Sequence, residues 1–215
     1  MLINILTRAS GRTKGFKKCY ESIANQTYKN VRHIVTYDCD DDLSYLNTYA
    51  VEKIKVDKEI LIQNDVSEQH ENYSYFPYNL YCNELLKEVK SGWVLFLDDD
   101  DMLAHKHVLV EIVANLKRSS QDTLFIWQMK YPDGRIKPRI GLLFRKEIRW
   151  SQIGSPCFLF HSSYAHRAQW DAWKSADYRF VKRLSEFIPN TKVIAKPMIL
   201  LNNHGGKGKR KDIVL

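Results

Sequence analysis

Four consecutive aspartates, Asp98-Asp99-Asp100-Asp101, are the residues of this chain best suited to chemistry. They follow the apolar run Trp93-Val94-Leu95-Phe96-Leu97 without a break. Adjacent carboxylates repel one another, and a divalent cation removes that repulsion. Mg²⁺ and Mn²⁺ take hard oxygen ligands and keep positions open for substrate phosphates. The pattern points to a Mn²⁺ or Mg²⁺ site that holds a diphosphate. The competing account is a solvated acidic turn or a helix N-cap, where aspartate is also favoured.

The elements around the acids suggest how they are presented. Gly92 and the short aromatic and branched run after it predict a buried strand covered on both faces. The acids then sit at its C-terminal end, where open α/β sheets bind ligands. Residues 1–7 predict a first strand, 8–12 a polar turn, 16–25 a helix and 31–37 a second strand ending at Asp38. A strand–helix–strand unit implies a parallel pair with a right-handed crossover. Thr7, Arg8, Arg12 and Asp38 are therefore expected on the edge that carries the aspartates. A carboxylate accepts hydrogen bonds and does not donate them, so Asp38 suits uracil N3–H and resists cytosine; guanine also fits, and Asp40, Asp41 or Asp42 can take the same part. Arg8 and Arg12 are suited to hold a phosphate or stack on a base, or they lie in a solvated loop.

Further along, a helix is expected through Tyr45 and Tyr49, a short strand near Ile54 or Ile60, and a loop over 64–75. A helix over 76–89 places Asn79 and Asn83 four apart on one face, where they reach a ribose or the acidic loop, or simply cap. After the acids come an amphipathic helix over 102–116 and a strand over 123–130. Asp133-Gly134 signals a tight hairpin. His161 ends an apolar run and reads as a core histidine before a ligand. Residues 165–173 predict a helix whose Trp170 and Trp173 pack in the core, ahead of stacking on a sugar. The helix over 175–187 carries Asp177 at its start, as a cap or as an acid aimed into the cleft. A strand over 192–201 precedes His204-Gly205-Gly206-Lys207-Gly208-Lys209. Glycine amides with Lys207 and Lys209 suit a pyrophosphate, though the spacing is not that of a Walker loop. His204 becomes a metal ligand if this tail folds over a nucleotide; a basic tail is the other account.

With 215 residues, one α/β domain over 1–215 is the simplest organisation, with a nucleotide-binding half over 1–101 and an acceptor half over 102–215. No apolar run is long enough to span a membrane, and the first residues are too short an apolar stretch for a signal peptide. Cys19, Cys39, Cys82 and Cys157 are scattered without metal-ligand spacing, as expected of reduced cysteines in a cytoplasmic protein. The net charge of +8 favours acidic partners: a nucleotide sugar, nucleic acid or an anionic membrane surface. No amphipathic anchor stands out.

The ordered set of Thr7-Arg8, Ser22-Ile23, Gln26-Thr27-Tyr28, Asp38, Asn83, Gly92 and Phe96-Leu97-Asp98-Asp99-Asp100-Asp101 resembles nucleotide-sugar glycosyltransferases of the GT-A fold, family-2-like, over nearly the full chain. The resemblance implies a Rossmann-like GT-A domain with a central, mostly parallel mixed sheet flanked by helices. It implies a UDP-sugar donor and a glycan acceptor, free or carried on lipid or protein. Asp38 matches the acid that reads uracil, Asp98 the acid nearer ribose and metal, and Asp100 the Mn²⁺ or Mg²⁺ ligand. Thr7, Arg8, Arg12, Asn83, Asp99, Lys207 and Lys209 would complete the nucleotide site, and His204 the metal site. Asp177 matches the catalytic base of inverting members, although the preceding residue, usually Glu, is Ala176. The small size and the Lys/Gly-rich end resemble compact enzymes of large algal viruses, which would work in the host-cell cytoplasm. A single in-line displacement with Asp177 as base follows, and a retaining route stays open if Asp177 only caps. A metal-dependent nuclease or nucleotidyltransferase also uses clustered aspartates, but the basic residues form no aromatic-interleaved stripe for nucleic acid. A non-catalytic nucleotide-sugar-binding module is the third class.

Overall fold

Among the described residues a nine-stranded mixed sheet runs in the order β3 (Glu52–Lys55), β2 (Val31–Tyr37), β1 (Ile3–Arg8), β4 (Trp93–Phe96), β8 (Phe158–His161), β6 (Thr123–Lys130), β9 (Asn190–Leu200) and β5 (Met102–Leu103), with β7 (Ile136–Lys137) paired to β6. Residues 1–70 and 72–202 are described, in a computed structural model. The first block is parallel: β1 (Ile3–Arg8) lies between β2 (Val31–Tyr37) and β4 (Trp93–Phe96), and β3 (Glu52–Lys55) flanks β2. Ile3, Ile5, Leu6, Ile34, Val94 and Leu95 are fully or almost fully buried, as expected of strands covered on both faces.

Helix α1 (Thr13–Ala24) forms the crossover between β1 and β2. It buries Gly15, Phe16, Cys19 and Ile23, a single stripe at helical spacing. Helices α2 (Asp40–Leu46) and α3 (Lys58–Gln63) flank β3 in sequence, and α4 (Tyr81–Lys87) precedes β4. The expected short strand falls at Ile54, and Ile60 is helical. Gly92 has φ +90°, and a Cβ there would stand 2.7 Å from the Leu2 carbonyl, so glycine is needed to enter β4 beside β1.

The second block is mixed. β8 (Phe158–His161), which sequence patterning does not resolve as a strand, is inserted antiparallel between β4 and β6 (Thr123–Lys130). β9 (Asn190–Leu200) runs parallel to β6, and the Asp133-Gly134 hairpin leads into β7 (Ile136–Lys137). The helix expected over 102–116 begins only at Val108 (α5, Val108–Leu116). Met102–Leu103 is a strand instead (β5), because it pairs with Leu200 and Ile199 of β9. The helix expected over 165–173 is a 3₁₀ turn, Ser162–Arg167, followed by extended chain. Asn83 donates to the Trp170 carbonyl and accepts from its N–H, and Asn79 donates to the Trp173 carbonyl. Side-chain amides thus take backbone partners that a helix would have supplied. α6 (Ile140–Phe144) follows β7, and α7 (Ala176–Ser185) follows the extended segment.

Phe96, Phe158, Phe160, Trp170 and Phe180 interlock edge-to-face, tilted or stacked, with ring centroids 4.9–6.4 Å apart. This cluster joins β4, β8, the segment that carries Trp170 and α7.

Candidate active site

The C-terminal ends of β1, β2, β4 and β6 open on one edge of the sheet, with the start of β8 among them. The four aspartates leave β4 there, and Arg8 leaves β1 beside them. Arg8 meets Asp98 through Nε at 3.1 Å and Nη2 at 2.6 Å, and its Nη1 donates to Asn79 at 2.9 Å. Its guanidinium also lies over the rings of Tyr78 and Trp170. Ser155 donates to the other Asp98 oxygen at 3.0 Å. Arg12 spans the next two acids, 2.5 Å from Asp99 and 2.7 Å from Asp100. Asp99 also accepts from the N–H and hydroxyl of Ser10, and Asp101 accepts from the Asn202 N–H at 3.3 Å.

This explains how four adjacent acids coexist. Burial works against the Asp98 carboxylate, but the Arg8 guanidinium outweighs it and holds Asp98 below the ordinary carboxylate range. Burial, reinforced by the charges of Asp100 and Asp98, pushes Asp99 up to about 7 against the pull of Arg12. Burial and the same neighbours push Asp101 well above the usual value. Two guanidiniums and two raised acids therefore share the work that charge repulsion alone would assign to a metal.

Gly15 lets the loop sit this low. A Cβ there would stand 3.1 Å from the Asp100 Cβ and 3.3 Å from the Asp99 carbonyl. The residue that admits the acids to the crossover helix is thus a helical glycine 83 positions upstream of the first of them.

Asp177 lies in the first turn of α7, near enough to feel the charges of Asp98 and Arg8. It is not the N-cap, which is Ser175 at φ 67°. Its Oδ1 accepts from the Tyr178 N–H at 2.8 Å. Burial pushes its carboxyl up to about 6, and the Asp98 charge adds to the rise. Arg179 holds the approach to this helix: it grips Asp171 with two 2.6 Å bonds and donates to the carbonyls of Trp173 and Lys174. Asp38 stands at the end of β2 as expected and accepts from the Tyr81 hydroxyl at 2.7 Å.

Other expected residues are placed differently. The Thr7 hydroxyl is buried against His33 Nε2 at 2.9 Å, inside the sheet rather than at its edge; a β1 side chain facing the core follows from strand alternation. Asn83 has both amide atoms engaged by the Trp170 backbone. His161, read as a core histidine before a ligand, does lie away from the site, opposite Trp93 at the far end of β4. Lys207, Lys209 and His204 lie outside the described residues. Ser10, Tyr81, Ser155 and Arg179, which sequence reading did not bring to the site, bind the carboxylates there, while Asn79, expected near the acidic loop, holds Arg8. The four missed residues carried no signal in spacing or pattern.

Hard carboxylate oxygens are the right donors for Mg²⁺ or Mn²⁺. An ion shared with a diphosphate needs only one or two protein carboxylates, and Asp98 and Asp100 fit that requirement once Arg12 releases Asp100. No group of three ligating side chains converges among the described residues.

No family model matches this sequence, and no curated protein does. Solved structures do. TarS 1–349 of S. aureus in complex with UDP-GlcNAc superposes with a TM-score of 0.69 at 16% identity, over 100% of this chain and 62% of that one. Longer TarS gives 0.69 and 16% over 94% of this chain and 36% of its own. This chain has the GT-A fold. Glucosyl-3-phosphoglycerate synthase from Mycobacterium tuberculosis, in complex with Mn²⁺, UDP and glucosyl-3-phosphoglycerate, gives 0.63 at 13% identity, covering 94% of this chain and 72% of that one. The chain thus spans from about a third to three fifths of the TarS chains it matches. These GT-A neighbours lend no support to the algal-virus resemblance. No helix among the described residues is long and apolar enough to cross a membrane.

Proposed function

We propose that this chain is a metal-dependent glycosyltransferase that moves a sugar from UDP to a hydroxyl of a glycan acceptor with inversion. The observation that supports the reading is that Asp98 and Asp100 leave β4 at the ligand edge of a GT-A fold, with Asp177 near enough to feel the Asp98 charge. Neighbours of that fold were crystallised with UDP, with UDP-GlcNAc and with Mn²⁺ and UDP.

Asp38 is the acceptor for uracil N3–H, oriented by the Tyr81 hydroxyl. A divalent cation held by Asp100 and Asp98 would supply positive charge against the departing diphosphate. Arg12, displaced from Asp100, is within reach of the same phosphates. Arg8, itself held by Asn79, stays on Asp98 and with Ser155 fixes that carboxylate. Asp177 takes the proton of the acceptor hydroxyl as its oxygen bonds to the anomeric carbon and the bond to UDP breaks. A carboxyl with a pKa of about 6 is ionised at neutral pH and still basic enough for that step. Arg179 is a positioning residue, tying the 171–174 segment to α7.

Calorimetric titration of UDP, GDP and CMP with and without Mn²⁺ tests the reading. UDP binding that requires Mn²⁺ supports it. GDP preference changes the donor, and no nucleotide binding in the presence of metal overturns it.

A further inference from the structure

Four of the large apolar side chains most exposed to solvent fall in one short stretch beside the candidate site: Ile136 at 40%, Ile140 at 46%, Phe144 at 70% and Trp150 at 53%. They are displayed rather than loose. α6 is anchored through buried Leu142 and Leu143, while Ile140 and Phe144, four residues apart, share the opposite face. The Gln128 side chain donates to the Pro138 carbonyl, and Lys137 donates to the Ser151 carbonyl. The Trp150 indole N–H is held by the Ser175 hydroxyl at 3.1 Å, two residues before Asp177.

The same stretch is strongly basic. Residues 133–150 contain six cations (Arg135, Lys137, Arg139, Arg145, Lys146 and Arg149) against Asp133 and Glu147, a net of +4 out of the chain's +8. Asp133 pairs with Arg135, and Glu147 is shared by Arg145 and Arg149. β7 pairs with the last residues of β6, so this surface lies at the edge where β4 releases its aspartates.

An exposed apolar face rimmed by cations is the chemistry of a segment that rests in the headgroup layer of an anionic bilayer. We infer that residues 133–150 dock this chain on an anionic membrane surface, with Ile140, Phe144 and Trp150 entering the interface and the surrounding Arg and Lys residues meeting lipid phosphates. The purpose of the docking rests on the transferase reading: it presents a glycan carried at the bilayer to the cleft of Asp177. The docking itself does not depend on that reading. The positive charge that sequence composition left unassigned thus acquires one target.

The test is co-sedimentation of the full chain with phosphatidylcholine vesicles, with and without phosphatidylglycerol, together with UDP titration in Mn²⁺ as an independent check of the nucleotide site. Binding is expected only with the anionic lipid. Phe144→Asp and Ile140→Asp should each weaken it by about tenfold, and Arg139→Ala by roughly fivefold. Ile60→Ser, an exposed apolar residue of α3, should change nothing. Wild type should also show a blue shift of tryptophan emission that Trp150→Phe lacks. Every variant should keep the wild-type affinity for UDP. Equal binding to neutral vesicles, no vesicle binding, or binding indifferent to Ile140 and Phe144 would each overturn the inference. So would Phe144-dependent self-association without vesicle binding, which would make the surface an interface between copies. Failure of UDP binding with intact docking would strike the proposed function alone.

Discussion

Two runs of acids follow strands on the same edge of this sheet, and they behave differently. Asp40, Asp41 and Asp42 open α2 after β2. Asp40 is largely exposed and pairs with Lys55, Asp41 is exposed, and Asp42 is buried with the Tyr45 hydroxyl as a donor. Acids in a first helical turn complement the helix dipole and need no ligand. Asp98 to Asp101 leave a fully buried strand, the first three are held by Arg8 and Arg12, and the run includes carboxyls displaced in both directions from their ordinary range. Composition does not separate the two runs. Burial and the partners brought by distant segments do.

The comparison is sharpened first at Asp177, raised mainly by burial and further by the charge of Asp98 in the second run. Asp177→Asn should cut sugar transfer by about 10²–10⁴-fold while leaving UDP affinity intact. The wild-type rate should rise with pH through about 6 as the carboxyl ionises, and the variant should lack that limb. Because the folded pKa is raised, ionising Asp177 costs stability as pH climbs towards 6. The variant should therefore resist urea better than wild type above that pH. Transfer retained in Asp177→Asn would reduce the residue to a helix-terminal acceptor for Tyr178.

Arg8→Ala comes next. It leaves Asp98 partly buried without its guanidinium and should cost about 3 kcal/mol in urea unfolding at neutral pH. Asp98 has a depressed pKa, so the stability it contributes is present above the ordinary carboxylate range and is lost as pH falls through its folded value. The gap between wild type and variant should narrow in acid; a gap independent of pH would detach Arg8 from Asp98. Gly15→Ala should cost about 1–3 kcal/mol by crowding Asp100, and thermal unfolding measures it. Asp40→Asn, in the exposed run, should stay within about 0.5 kcal/mol of wild type.

The parallel block was legible because its signals are local. Strands 31–37 and 93–97, the helix between the first two strands and the acids at the edge all follow from short-range pattern. The second block was not. Phe158–Phe160 becomes a central strand only because β4 and β6 offer edges on both sides. Met102 and Leu103 are drawn from an expected helix by β9, and Trp170 and Trp173 by two asparagines about ninety residues upstream. In the site, the acids and Asp177 carried visible signals. The arginine pairing did not, because Arg8 and Arg12 read equally well as a solvated loop until the strands set them against Asp98, Asp99 and Asp100. The membrane-facing segment was invisible for the same reason: exposure of Ile140 and Phe144 is a property of packing, since Leu142 and Leu143 beside them are buried.

The most direct test of the central claim sets the two acidic runs against each other in one titration. UDP is titrated with and without Mn²⁺ into wild type, Asp100→Ala and Asp40→Asn. The account predicts Mn²⁺-dependent binding in wild type, the same in Asp40→Asn, and loss of the metal dependence in Asp100→Ala. Unchanged Mn²⁺-dependent UDP binding in Asp100→Ala would contradict it.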